Sequence, residues 1–455
     1  MTVTDSDRDP VGTGFSGTDF CDPRVFDEPG ELYTWLRGLD HLHYDEPNNV
    51  YIAARYQDVF DVSRDDTLFC SKFGVRPKIA GDMSIITLDG EEHTRQRRLI
   101  NKGFTPRQVR NLTPHVRELS RQLVEDITAR VEADGGELSD TTIDFVEDFA
   151  IHVPLIIICE LLGLDPSQRM HMYRWSDDMM AGDGHVEADD PVLLAAANAF
   201  GEFCVMALDL IADRRANPAD DLISILTEAF DDGELAREHA DLREVDDATL
   251  EAVKSAARLD DNELLSFLTV LLVAGNETTR NAISGGLVAL SNHPDQRKLM
   301  FDNLDDDAWM DRAVDELVRY VTPVLGFIRT VTAPTTLHDT ELVEGDRVLM
   351  LYGAANRDES QFYNPDALDL TRDPNPHLGF GIGAHYCLGS NLAKMEVRVV
   401  FQELLSRWPD ISVPEGLVPP RGESTLVLAL KEVPAVIGAP VGCPAHGGAA
   451  TPDQG

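Results

Sequence analysis

The chain has 455 residues, and its 80 acidic against 39 basic side chains give a formal net charge of −41. Such a balance disfavours nucleic acid and anionic membranes as partners, since both would repel it. An apolar fraction of 43% suffices for a large core, and no linker splits the length. Residues 1 to about 20 are polar and read as a mobile arm. A short helix is expected from Pro29 to Leu39, then a strand-like run from Tyr51 to Arg55. Asp65 to Leu88 has the mixed composition of a long loop, and loops of that length inside a domain are usually functional.

Helical periodicity dominates the rest of the chain. Helices are predicted at Glu91–Asn101, Arg107–Ala133, Phe145–Leu162, Ala195–Ala216, Asp221–Ala229 and Asn262–Ser291. Others are predicted at Asp295–Asn303, Trp309–Val321 and Ser390–Arg407. Strand-like pieces are few: Ile328–Thr332, Arg347–Leu351 and Leu426–Leu430. The run Asp231–Asp261 holds 11 acids against 4 basic residues and reads as a solvated helix and loop. From Val441 a Gly- and Pro-containing tail reads as disordered. The expectation is one mainly α unit with small β-sheets over residues 21–440, flanked by an arm (1–20) and a tail (441–455).

Six scattered cysteines (Cys21, Cys70, Cys159, Cys204, Cys387, Cys443) show no pairing pattern, which points to a reducing cytoplasmic setting. The first residues lack an apolar run, and no stretch reads as long enough to span a bilayer, so no membrane anchor is expected. Only 7 of the 39 basic residues are lysine, a bias that both a saline habitat and a GC-rich genome would produce.

Two stretches carry chemistry. In Phe380-Gly-Ile-Gly-Ala-His-Tyr-Cys-Leu-Gly389, glycines at 381, 383 and 389 permit turns and close approach to something large and flat. The helix predicted from Ser390 comes directly after, so Cys387 lies near free amides and a helix dipole that favour a thiolate. A lone thiolate does not suit zinc; it suits the single axial bond a protein supplies to haem iron. The second stretch is the long helix from Asn262, which Asp261 can cap and whose apolar first half should be buried. Mid-helix Ala274-Gly-Asn-Glu-Thr-Thr279 joins small residues to an acid and an alcohol. It reads as a local opening in which Ala274 and Gly275 leave room for O₂ while Glu277 and Thr278 deliver protons.

The spacing Phe-Gly-x-Gly-x-His-x-Cys-x-Gly resembles the haem-binding signature of the cytochrome P450 superfamily at every position, and Ala-Gly-Asn-Glu-Thr-Thr resembles its oxygen-activation motif. The likeness runs from about residue 25 to 435 and implies the cytochrome P450 fold, heme b, and Cys387 as the iron ligand. It further implies that Phe380 packs beside the sulfur, with Gly381 and Gly389 in the same loop. His93, Arg97, Arg329 and His385 would serve the haem propionates. Glu316-Leu-Val-Arg319 resembles the superfamily's Glu-x-x-Arg element, with Asn356-Arg357-Asp358 as its expected partner segment. One departure is Leu88-Asp-Gly-Glu-Glu-His93, where many relatives carry two prolines after the aspartate.

The implied activity is monooxygenation of a C–H bond in a lipophilic small molecule: a steroid, branched lipid or terpenoid. Electrons would come from NAD(P)H through a ferredoxin reductase and a ferredoxin. Ile85, Ile86, Ala274, Val324, Leu325 and Phe327 are the expected apolar wall, with Met179 and Met180 in a lid. A peroxide-driven hydroxylase or decarboxylase and a haem sensor are the rivals; Glu277-Thr278 argues against both. Between Thr94 and Arg121 eight basic residues face one acid, Glu118, and with Lys394 and Arg398 they are the expected ferredoxin-docking surface.

Overall fold

The structure, a computed structural model, describes residues 15–77, 84–228 and 259–438, apart from Gly184, Val186, Ala188 and Glu423. Nearly all of the acidic run Asp231–Asp261, most of the expected arm and the expected tail lie outside the described residues.

In chain order the elements are α1 (Gly30–Gly38), β1 (His43–Asp45), β2 (Val50–Ala53), α2 (Tyr56–Arg64), β3 (Phe69–Cys70) and α3 (Gly90–Ile100). Then come α4 (Pro106–Ala133), β4 (Thr142–Asp144), α5 (His152–Leu161), α6 (Arg169–Ala181), α7 (Pro191–Ala216) and α8 (Leu222–Glu228). The second half holds α9 (Asp261–Asn292), α10 (Pro294–Phe301), α11 (Asp307–Val321), β5 (Gly326–Val331), β6 (Thr335–Leu337) and β7 (Thr340–Leu342). It ends with β8 (Arg347–Leu351), α12 (Tyr352–Ala355), α13 (Ser390–Arg407) and β9 (Pro434–Val436). One five-stranded sheet runs β1-β2-β8-β5-β3, with β2 and β8 parallel and the other neighbours antiparallel.

Helix α9 is the axis of the molecule. Its cap is Asp260, one residue before the expected Asp261: the Asp260 carboxylate accepts the Asn262 and Glu263 N–H groups at 2.9 Å each. Glu263 reaches back to the Asp260 N–H at 2.8 Å, closing a capping box. Its 32 residues span about 48 Å, and α5, α6, α7, α11 and α13 all pack on it. No opening interrupts it: the helix is continuous through Ala274–Thr279. Thr278 Oγ1 instead donates to the Ala274 carbonyl at 2.7 Å, a bond a helix accommodates without breaking. Beside α9, α4 packs along α13, the helix that begins just after Cys387.

Several expectations change. The arm is not mobile from Phe15 onward, since Phe20 is 1% exposed, its N–H bonded to Asp45 at 3.0 Å. Leu426–Leu430 forms isolated bridges, Val324 to Val427 and Arg421 to Leu430, instead of a strand. Helix α6 falls in a segment given no helix, and the expected Phe145–Leu162 helix begins as a π-turn, Val146–Ala150. The expectation that no stretch could span a bilayer also fails by length and composition: α7 has 26 residues and a window of mean hydropathy 1.7. Its alanines and leucines dilute the few charges, and only 17% of that window is buried.

Candidate active site

A cavity of about 280 Å³ lies between α9 and the Cys387 loop. Phe380, Gly381, His385, Cys387 and Gly389 line it from the loop, and Ala274, Gly275 and Thr278 from α9. Ile85, Ile86, Val324, Phe327 and Met180 complete an apolar wall, with Arg97 and Arg329 at its edge. Leu325 is absent from this wall because neighbouring residues on an extended chain face opposite ways; it is 4% exposed in the core cluster behind the sheet. Met179 likewise packs on the main core while Met180 reaches the cavity.

The cysteine loop folds as its glycines dictate. Gly381 and Gly383 take φ +66° and +79°, and a Cβ at Gly383 would stand 2.8 Å from the Ser63 carbonyl oxygen. Gly389 lines the cavity, and beyond its chain neighbours no described atom lies within 4 Å of where its Cβ would be. The Cys387 N–H donates to the Phe380 carbonyl at 2.8 Å, closing the loop. Burial pushes the Cys387 thiol up, while the Gly389 and Ser390 N–H groups and the Arg97 charge act the other way. The helix start therefore favours the thiolate without outweighing desolvation. Cys387 is only half-buried and its sulfur belongs to the cavity wall, so a cation bonded there would be what holds it as a thiolate.

Around the rim, Arg329 is buried, and its guanidinium donates to the Ile328 carbonyl at 3.1 Å with no carboxylate paired to it among the described residues. Burial lowers its pKa. Arg97 bonds the Tyr386 carbonyl and also has no carboxylate partner among the described residues. Two desolvated guanidinia with no carboxylate partner among the described residues, lining one cavity with the half-buried Cys387, fit a flat dianionic ligand. His385 stands 3.6 Å from Asp89 and 3.3 Å from Ser71 Oγ. His93 does not line the cavity; its ring stacks on His385 at 4.2 Å, and its buried Nε2 has no hydrogen-bond partner among the described residues. Burial, then the neighbouring His385, lower the His93 pKa to about 4, so it is neutral.

The proline-free turn into α3 is resolved by Gly90, which takes φ +61° in open space. Asp89 accepts the Ser71 N–H at 2.8 Å and the Lys72 N–H at 2.9 Å, a clamp the sequence did not disclose.

On α9 the acid and the alcohol part company. Thr278 faces the cavity, whereas Glu277 is 1% exposed and absent from its wall. Glu277 pairs with Arg280 at 2.5 Å and accepts from Ser176 Oγ at 3.4 Å; burial raises its pKa. From Arg280, Asp177 at 3.9 Å and then Lys431, 2.6 Å from Asp177, lead to the surface. Gly275 makes room for a different neighbour than expected: its Cβ would stand 2.7 Å from Ile158 of α5, so the missing side chain serves helix packing.

Below the loop, Glu316 and Arg319 are fully buried and bidentate, at 2.7 and 2.8 Å. Arg319 also donates to the Asn356, Pro365 and Ala367 carbonyls. The third member is Arg372, whose Nε is 3.0 Å from Glu316, and not Arg357. Arg357 turns outward to Asp366 and the Tyr320 carbonyl.

The expected basic surface is largely neutralised. Arg95 pairs with Glu92 and Glu263, Arg117 with Glu403, Arg121 with Glu118 and Glu125, Lys394 with Asp315, and Arg398 with Asp307. Most of these acids come from other helices, which a local charge count omits. Arg107 and Arg110 are exposed and form no ion pair among the described residues.

The sequence pattern of the cytochrome P450 family matches residues 42–438. The chain belongs to the cytochrome P450 family. It is 32% identical to a steroid C26-monooxygenase of Mycolicibacterium smegmatis over 89% of this chain and 92% of that one. A methyl-branched lipid omega-hydroxylase of Mycobacterium tuberculosis is 36% identical over 89% and 86%. Among solved structures, a Bacillus megaterium P450 in complex with testosterone superposes with TM-score 0.75 at 26% identity, covering 92% of this chain and 100% of that one. This P450 is thus a monooxygenase whose cofactor is heme b. Cys387, Arg97, Arg329 and His385 are the residues whose geometry fits that group. When bound, it supplies the activation of O₂ from which one oxygen atom enters the substrate.

Proposed function

We propose that this P450 hydroxylates the terminal or branched C–H of a steroid side chain or methyl-branched lipid, with terpenoids as a further class. The apolar cavity carries the reading: Ile85, Ile86, Val324, Phe327 and Met180 offer a bulky aliphatic chain no hydrogen bond, so shape and burial orient it. The names of the two mycobacterial relatives agree in substrate class. Cys387 is the iron ligand; Arg97, Arg329 and His385 take the propionates, with His93 steadying the His385 ring. Thr278 presents its hydroxyl to the cavity, and Glu277, Arg280, Asp177 and Lys431 form the route by which protons reach it. Electrons come from NAD(P)H through a ferredoxin reductase and a ferredoxin, which dock on the α4 side at Arg107 and Arg110. The enzyme works in the cytoplasm, where both donors are kept reduced.

Titration of the ferric protein with steroids, methyl-branched lipids and terpenoids tests this. A blue shift of the Soret band, then a terminally hydroxylated product under ferredoxin-supported turnover, is expected. Absence of both with every steroid and branched lipid tried would overturn the assignment.

A further inference from the structure

Helix α7 turns one face inward through Ala199, Phe203, Ala207 and Ile211. On its opposite, solvent-facing side Leu194, Asn198, Gly201, Val205, Leu208 and Ala212 succeed one another at steps of 4, 3, 4, 3 and 4 residues. That alternation averages 3.5 residues, the repeat of a coiled-coil seam, with one asparagine among apolar and small positions. Leu194, Val205 and Leu208 are 50%, 64% and 42% exposed, apolar positions of this row that no described residue covers.

We propose that this face is the seam of a twofold dimer in which α7 packs antiparallel on α7 of a second copy of this chain. In an antiparallel pair, residues equidistant from a common midpoint face each other. With the midpoint at residue 203, Leu194 of one copy faces Ala212 of the other, Asn198 faces Leu208, and Gly201 faces Val205. All six positions find an opposite, and the central and outer layers each set a branched side chain against a small one. A slip of one heptad in either direction strands Leu194 or Leu208. The seam is therefore complementary to itself, as a twofold interface requires.

The two helix dipoles oppose in this orientation, which favours antiparallel pairing. The side-chain charges of the last turns balance within the chain, Arg214 pairing with Asp213 and Asp221 and Arg215 with Asp261, so they set no end against its partner. Glu202, which flanks the midpoint, is held in its own chain by Arg174 and the Trp175 indole N–H, at 2.8 Å in the latter case. Two bodies of charge −41 repel, so added salt should tighten the dimer.

The test is sedimentation of the haem-loaded full chain at micromolar concentration. A reversible dimer is expected, strengthened by salt. Val205→Glu acts twice in a twofold pair and should weaken association at least about a hundredfold, while the ferrous–CO spectrum stays unchanged because Val205 only faces solvent. Orientation is read by disulfide trapping in a Cys204→Ser background. Leu194→Cys mixed with Ala212→Cys should cross-link, and Leu194→Cys alone should not, its two copies lying about 27 Å apart. A monomer at every salt concentration overturns the proposal, as does self-cross-linking of Leu194→Cys alone. Val205-dependent binding of a monomer to neutral phosphatidylcholine vesicles would likewise overturn it, in favour of a lipid surface.

Discussion

Beneath the Cys387 loop the chain is fastened by buried charge, and over the cavity by apolar contact. Glu316, Arg319 and Arg372 gather five carbonyls and one another in a site closed to water. In the roof, Met180 and its neighbours Leu426 and Val427 meet mainly through side-chain packing. The side-chain ties of Asp183 there are long: it accepts from Ser424 Oγ and from the Thr425 N–H and Oγ1, all at 3.3 Å. Directional bonds fix one arrangement of the loop that must hold a metal ligand, whereas non-directional contacts let a roof repack around a bulky guest.

The largest effect should come from breaking the lower clamp. Arg319→Ala leaves Glu316 buried beside Arg372 alone and should cost about 3–5 kcal/mol, enough to lose most folded, haem-loaded protein on expression. Cys387→Ser should fold yet lose the red-shifted Soret band of the ferrous–CO complex; persistence of that band would place the ligand elsewhere. Thr278→Ala should bind ligand normally while diverting reducing equivalents to hydrogen peroxide, measured as product formed per NAD(P)H consumed.

Glu396 provides a pH test of the same floor. It is 2% exposed on α13, its Oε1 has no partner among the described residues, and burial pushes its pKa from 4.5 to about 8. The folded state thus holds a proton that the unfolded chain has already lost above its ordinary carboxylate pKa. Stability from this group should fall as pH rises from about 5 towards about 8 and level off beyond. Glu396→Gln should remove that slope, its melting temperature exceeding the parent's near pH 8 and converging with it near pH 5. An unchanged slope would mean that the carboxyl finds a partner. The smallest effect belongs to the roof: Asp183→Ala should cost about 1–2 kcal/mol and alter ligand affinity more than folding.

Legibility in the sequence tracked the range of the forces involved. The cysteine loop could be read because its requirements are local: left-handed turns at Gly381 and Gly383 and a sulfur just before a helix start. The cavity wall was half legible. Ile85, Ile86, Val324 and Phe327 line it, but Leu325 does not, and strand facing depends on which side of a sheet meets the core. Helix α6 was missed because its arginines, aspartates and methionines give no clean apolar stripe until α7 and α9 pack on it.

By itself, then, the sequence determined what backbone chemistry dictates within a few turns of chain: the long capped α9, the loop around Cys387, and the ion-pairing helix of Glu316 and Arg319. Tertiary structure alone decided which charges meet. It chose Arg372 over Arg357 as the third member of the buried clamp, turned Glu277 to Arg280 and away from the cavity, and paired Arg95 and Arg117 of the basic α3–α4 surface with acids from other helices. The reason is physical: a side-chain ion pair is set by distance in space, and residues 316 and 372 are 3.0 Å apart only once the chain between them has folded.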